Sequence, residues 1–191
     1  MSGGANEITL AEIAQRLDEA NVAWAVIAGA AASVYGATRP LTDVDLLVPA
    51  AEGKRVATLF PEAAVKSHAD GHGHIIVLPG FDLVAGVRWD DPAGTRGALD
   101  LDAAMAARVT HHEIMGVSVP VCPPEDVILL KALWGRGPEM GKHDWEDIEA
   151  MLASGLSLDW EYLQRRGAAC DPQDRVETAL RHVEEISKKG T

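Results

Sequence analysis

Asp43 and Asp45 stand two residues apart in the run Thr42-Asp-Val-Asp-Leu-Leu-Val48. Side chains at i and i+2 of a strand point the same way, so the two carboxylates share a face. Like charges this close raise each other's pKa unless a cation neutralises them. Hard oxygen donors of this kind suit Mg²⁺. Upstream, Ile27-Ala-Gly-Ala-Ala-Ala-Ser-Val-Tyr-Gly36 reads as the end of an apolar strand, a tight turn at Gly29 and a short helix of small residues. Backbone N–H groups at a helix start can hold phosphate oxygens. Asp82 offers a third carboxylate inside the apolar run Phe81-Asp-Leu-Val-Ala85, where an unpaired charge is costly. If its strand lies beside that of Asp43 and Asp45, the three can hold two Mg²⁺ ions about 4 Å apart, the spacing of two-metal phosphoryl transfer. The chemistry indicated is chemistry on a nucleotide. The plainer alternatives are a solvated strand start capped by Asp43, and an Asp82 that merely follows the Pro79-Gly80 turn.

Several elements must position these groups. Ile8, Ile13, Leu17 and Ala20 recur at helical spacing over residues 7–20. Residues 24–28 read as a buried strand and 30–35 as a helix stopped by Gly36. Arg39-Pro40 forces an extended entry into the strand at 43–48. A helix is expected over 51–60, and strands over 74–78 and 81–85 joined by the Pro79-Gly80 turn. Residues 89–97, rich in Asp, Gly and Pro, read as a loop, and 99–107 as a helix. Residues 109–113 and 117–121 can pair as a hairpin around Met115-Gly116. Pro124 suits the first turn of a helix over 125–134, with Glu125 and Asp126 at its positive dipole end. A break at 135–141 precedes helices over 142–152, 160–166 and 174–188. The expectation is an α/β (α+β) chain, with a mixed sheet flanked by helices in a core over residues 1–121 and a helical region over 122–191.

At 191 residues and 47% hydrophobic content the chain can bury a sizeable core. Its formal net charge of -12 repels nucleic-acid backbones and lowers the expectation of broad DNA or RNA binding. Cys122 and Cys170 lack metal-ligand spacing and read as free thiols of a reducing compartment. No apolar run is long enough for a membrane span, and a basic-then-apolar leader is missing, so the expected location is cytoplasmic.

On these residues the chain resembles the nucleotidyltransferase superfamily with the polymerase-beta-like core. That family's pattern is an apolar strand, Gly-Gly or Gly-Ser, then Asp-X-Asp or Asp-X-Glu, and a later strand Asp. It is met here by Gly29-Ala30, Asp43-Val44-Asp45 and Asp82. The string 28–36 followed by Arg39, Thr42, Asp43 and Asp45 is similar to the small prokaryotic branch that includes AbiEii-type toxins. There a downstream helix carries a Lys and a basic, Asp-rich helix follows, matched by Lys131 and by Lys142-His-Asp-Trp-Glu-Asp-Ile148. The resemblance spans residues 20–152. It implies the nucleotidyltransferase fold and transfer of a nucleoside monophosphate from an NTP to a hydroxyl, with release of pyrophosphate. Asp43, Asp45 and Asp82 would be the catalytic residues and ligands of two Mg²⁺ ions. Gly29, Ala30, Arg39, Thr42 and Lys131 would contact the nucleotide. The acceptor (protein, tRNA or small molecule) stays open, as does a cognate antitoxin or regulator as partner. One departure is Ala30, which lacks the hydroxyl a Ser would bring; it keeps alive a second reading, a catalytically weak nucleotide-binding or antitoxin-like module.

Other features admit plain readings. His68, Asp70, His72 and His74 are a candidate zinc cluster, against which Gly71 and Gly73 argue for a flexible hairpin. His111-His112 reads as strand. Arg39 is either a ligand contact or half of a salt bridge, and Lys131 either a site residue or a solvated lysine. Asp144 and Asp147, at i and i+3, read as a solvated helix face, with a role in the site as the alternative. Trp89 or Trp134 could stack on a base if the fold brings them to the site. The last helix, with Arg175, Glu177, Arg181, Glu184 and Glu185, reads as an exposed salt-bridged face.

Overall fold

Among the described residues a seven-stranded mixed sheet organises the molecule, in the order Ala64–Ser67, His74–Leu78, Phe81–Ala85, Val44–Val48, Ala25–Ile27, Val117–Val121, Thr110–Ile114. A computed structural model describes residues 8–67, 74–90, 96–170 and 174–189. Helix α1 (Leu10–Glu19) starts at a capping box in which Thr9 and Glu12 satisfy each other's backbone N–H groups. It buries Ile13 and Leu17. Strand β1 (Ala25–Ile27) is buried throughout and runs straight into α2 (Ala28–Val34). Strand β2 (Val44–Val48) pairs antiparallel with β1 and parallel with β5 (Phe81–Ala85). Between them come a 3₁₀ turn (Ala50–Glu52), α3 (Gly53–Leu59), β3 (Ala64–Ser67) and β4 (His74–Leu78).

The expected loop at 89–97 is a correction. Strands β6 (Val87–Asp90) and β7 (Arg96–Leu99) pair antiparallel as a small second sheet. Buried Val87 and Leu99 anchor that ribbon. Strand β3 also goes beyond the expected elements; it is a short edge strand, with Val65 48% exposed, and lacks a continuous apolar run. The helix expected over 99–107 shrinks to α4 (Ala103–Ala106), because Leu99 belongs to β7 and Asp102 is the N-cap, accepting from the Met105 N–H at 3.0 Å.

Strands β8 (Thr110–Ile114) and β9 (Val117–Val121) form the hairpin around Met115-Gly116, and β9 docks parallel to β1. Helix α5 (Pro124–Trp134) is buried on nearly every side, including Glu125, Asp126 and Lys131. It packs on α2 and on α6 (Asp144–Ala153), α7 (Trp160–Cys170) and α8 (Asp174–Lys189). Asp126 (0% exposed) receives the Tyr162 hydroxyl at 2.6 Å and Arg166 Nε at 2.8 Å, and Arg166 also binds Asp102 of the α4 cap. This buried network fastens α7 to α5. On α8, Val176, Ala179 and Val183 are buried, while Glu177–Arg181 and Glu184–Lys188 pair on the exposed side. Cys122 and Cys170 are buried, and among the described residues neither is in a disulfide. Among the described residues no helix is long and apolar enough to cross a membrane.

Candidate active site

The parallel register of β2 and β5 sets Asp45 directly opposite Asp82, with Ile27 of β1 opposite Asp45 on the other side. In-register residues of neighbouring strands project to the same face. Val44 and Leu46, which alternate with them, are buried in the core. Asp43, Asp45 and Asp82 all line one cleft of about 450 Å³. The Thr42 hydroxyl donates to Asp43 Oδ1 at 2.8 Å and orients that carboxylate. Burial, reinforced by the charges of Asp43 and Asp82, pushes the Asp45 carboxyl up to about 7. Burial and Asp43 likewise raise Asp82. Lys142 pulls both back toward the charged form. The three side chains converge on the cleft without closing into a coordination shell; among the described residues no three His, Cys, Asp or Glu groups are close enough to hold a metal ion.

The β1–α2 junction borders the same cleft through Ile27, Ala28 and Gly29. Its geometry corrects the tight-turn reading of Gly29. The left-handed residue is Ala28 (φ 57°), whereas Gly29 lies within α2 and is not among the positive-φ glycines. A side chain at φ > 0 costs about 1 kcal/mol, so this junction carries strain beside the carboxylates. A Cβ on Gly29 would meet nothing within 4 Å, so the bare backbone there leaves open space in the cleft. Ala30 is fully buried. The Ser33 hydroxyl donates to the Ala30 carbonyl at 2.7 Å, so it is turned to the backbone and does not stand in for a Ser at position 30.

The helical side of the cleft overturns the solvated-face reading of Asp144 and Asp147. Each is 2% exposed, because α6 lays the face that also carries Ile148 and Met151 against the core. Lys131, 3% exposed, donates from Nζ to Asp147 Oδ2 at 2.7 Å and to Asp144 Oδ1 at 3.4 Å, so it is not a solvated lysine. Arg39 forks onto Asp147 with Nε and Nη2 each at 3.0 Å. Burial alone would raise the Asp147 carboxyl, but the bonds from Arg39 and Lys131 outweigh it and hold it below the ordinary value. Arg136 Nε donates to Asp144 Oδ2 at 2.8 Å, and its guanidinium stacks 3.9 Å over the Trp134 ring.

Arg136 and Lys142 are cleft residues that sequence reasoning does not assign to the site, although Lys142 opens the Asp-rich motif. Both lie in the break between α5 and α6, flanked by left-handed Gly135 and Gly141. Cations in a glycine-bounded break beside an Asp-rich helix were the available signal. Trp134 lines the cleft. The Trp89 side chain lies outside the described residues, as do His68, Asp70 and His72 of the proposed zinc cluster; His74 sits in β4.

Residues 5–187 match the family model described as an uncharacterised nucleotidyltransferase. No curated protein matches the chain. Among solved structures, the antibiotic-resistance factor ANT(2'')-Ia in complex with adenylyl-2''-tobramycin aligns with a TM-score of 0.55 at 18% identity, covering 91% of this chain and 96% of that one. A solution structure of ANT(2'')-Ia aligns with a TM-score of 0.54 at 20% identity, covering 91% and 93%. A Thermotoga maritima protein assigned to the nucleotidyltransferases aligns with a TM-score of 0.50 at 17% identity, covering 72% and 94%. These similarities show the shared fold. With nearly its whole length matched by the family model, the chain belongs to this nucleotidyltransferase family and is an enzyme of that class.

Proposed function

We propose that the chain uses Mg²⁺ to transfer a nucleoside monophosphate from an NTP to a hydroxyl of a small-molecule acceptor. The observation that carries this reading is the in-register pair Asp45 and Asp82, with Asp43 beside them, on one cleft in which no described lysine or arginine makes an ion pair with them. The donor set is all carboxylate oxygen, which fits Mg²⁺ and not a thiolate- or imidazole-seeking metal. Asp43, Asp45 and Asp82 would hold the ions. Bound there, Mg²⁺ would offset the carboxylate repulsion and neutralise charge on the triphosphate. Ala28 and Gly29 at the start of α2 line the same space, and the Arg39–Asp147–Lys131 group keeps positive charge on the helical side. In the reaction the acceptor oxygen bonds to the α-phosphorus, and the bond from that phosphorus to the bridging oxygen breaks. Pyrophosphate leaves with that electron pair, and the hydroxyl proton is released.

A small-molecule acceptor is favoured by the net charge of -12, which opposes a polyanionic tRNA. It is also favoured by the adenylyl-2''-tobramycin held by ANT(2'')-Ia, which spans nearly the same length of fold. The test is pyrophosphate release with Mg²⁺ and each of ATP, CTP, GTP and UTP against a panel of polyhydroxylated small molecules, tRNA and protein. Release with a small molecule is expected. Release with tRNA alone would overturn the acceptor assignment. Nucleotide binding without release in any arm would favour the weak-module reading that Ala30 keeps open.

A further inference from the structure

We propose that Lys142, not Lys131, is the lysine that meets the triphosphate, an inference resting on the reading of the cleft as the NTP site. Arg39, Arg88, Lys131, Arg136 and Lys142 all line that cleft, so two of its cations are lysines. Arg39, Lys131 and Arg136 are committed to carboxylates. Arg39 and Lys131 bind Asp147, and Lys131 and Arg136 bind Asp144. Lys131 is also buried, so turning its ammonium to a ligand would take a cation from two buried carboxylates. It is a positioning residue: with Asp147 it fixes Arg39, and with Asp144 it fixes the loop that carries Arg136.

Lys142 differs on each count. It is exposed and, among the described residues, makes no ion pair. Its charge nevertheless reaches Asp45 and Asp82, so it lies within electrostatic range of both carboxylates across the cleft. Its backbone is held in place. The Lys142 N–H donates to the Gly137 carbonyl at 3.1 Å, Gly141 N–H to Pro138 at 2.9 Å, and Asp144 N–H to Arg136 at 3.0 Å. The left-handed Gly141 (φ 65°) turns the chain immediately before it. A fixed backbone with an uncommitted ammonium opposite metal-binding carboxylates suits the oxygens of a triphosphate. Lysine binds phosphate as a point charge and needs no fork geometry. With Asp144 already paired and cations on the sheet-side carboxylates, the β- and γ-phosphates would bring the unpaired negative charge.

The test is calorimetric titration of wild type, K142M, K142R and K131M with the magnesium complexes of ATP, CTP, GTP and UTP, and then of the best binder's monophosphate. K142M is expected to weaken triphosphate binding about 10- to 100-fold, with the monophosphate affinity and the melting temperature unchanged. K142R is expected to restore most of the loss. K131M is expected to lower the melting temperature. The proposal is overturned if K142M binds the triphosphate as wild type does, if it loses triphosphate and monophosphate equally, or if K131M shows the selective loss at unchanged Tm. Failure of wild type to bind any NTP would sink the nucleotidyltransferase reading along with it; wild-type binding matched by K142M would sink only this inference.

Discussion

One group of carboxylates lies on the sheet side of the cleft and another on its helical side, and their surroundings treat them oppositely. Asp144 and Asp147 are buried, and the cationic groups of Lys131, Arg136 and Arg39 are all within hydrogen-bond distance of them. Asp43, Asp45 and Asp82 share the sheet side, yet no arginine or lysine makes an ion pair with them among the described residues, and the Asp45 carboxyl is pushed up to about 7. Burying a charge without a partner is costly, so a stable fold normally supplies one. The helical side does so; the sheet side leaves the place open. On the proposed reading, that contrast separates a structural ion cluster from a site for an external cation.

Substitutions should break the two groups in different ways. The largest effect is expected from Asp45→Asn, which should cost about 10³-fold or more in pyrophosphate release, since metal stabilisation of phosphoryl transfer is worth several kcal/mol. The same change should stabilise the metal-free protein. With its ordinary value near 3.8 raised to about 7 on folding, Asp45 ionises in the unfolded chain well before it does in the folded one. Wild-type stability in EDTA should therefore fall as pH rises from about 4 to about 7 and then level off, a loss of up to about 4 kcal/mol. Asp45→Asn should flatten that slope in denaturant unfolding; an unchanged slope would show that Asp45 is not the strained group. Asp147→Asn comes next. It breaks a buried pair from one side and should destabilise the fold by about 3 kcal/mol at neutral pH, read from the shift in the denaturant midpoint. A stability gain there would mean that the two groups are alike after all. The smallest effect belongs to Gly29→Ala. A better helix former in α2, meeting nothing, should stabilise the protein by about 0.5–1 kcal/mol while weakening NTP binding through loss of room in the cleft. Unchanged NTP affinity would remove the β1–α2 junction from the site.

The two groups were also unequally legible in the sequence. That Asp43 and Asp45 share a side follows from the two-residue period of a strand and from the apolar residues around them. The pairing of Asp45 with Asp82 does not, because parallel register is set by distant residues: β5 follows two helical pieces and two further strands before it docks on β2. Spacing at i and i+3 is the same whether a helix face meets water or protein. Only the docking of α6 beneath α5 makes Asp144 and Asp147 buried partners of Lys131. The hairpin of β8 and β9 was readable because its turn is local. The ribbon of β6 and β7 was not, because the Asp, Gly and Pro of its connection mask the alternation on either side. Gly29 was read as the turning residue because glycine tolerates φ > 0 so easily, yet the chain places Ala28 there instead.

The most direct test of the central contrast is electron paramagnetic titration of Mn²⁺, a spectroscopic stand-in for Mg²⁺, in the presence of saturating NTP. Wild type and Asp147→Asn should both retain tightly bound Mn²⁺, whereas Asp45→Asn and Asp82→Asn should lose it. Retention of Mn²⁺ by Asp45→Asn together with its loss in Asp147→Asn would place the cation on the helical side and contradict the account.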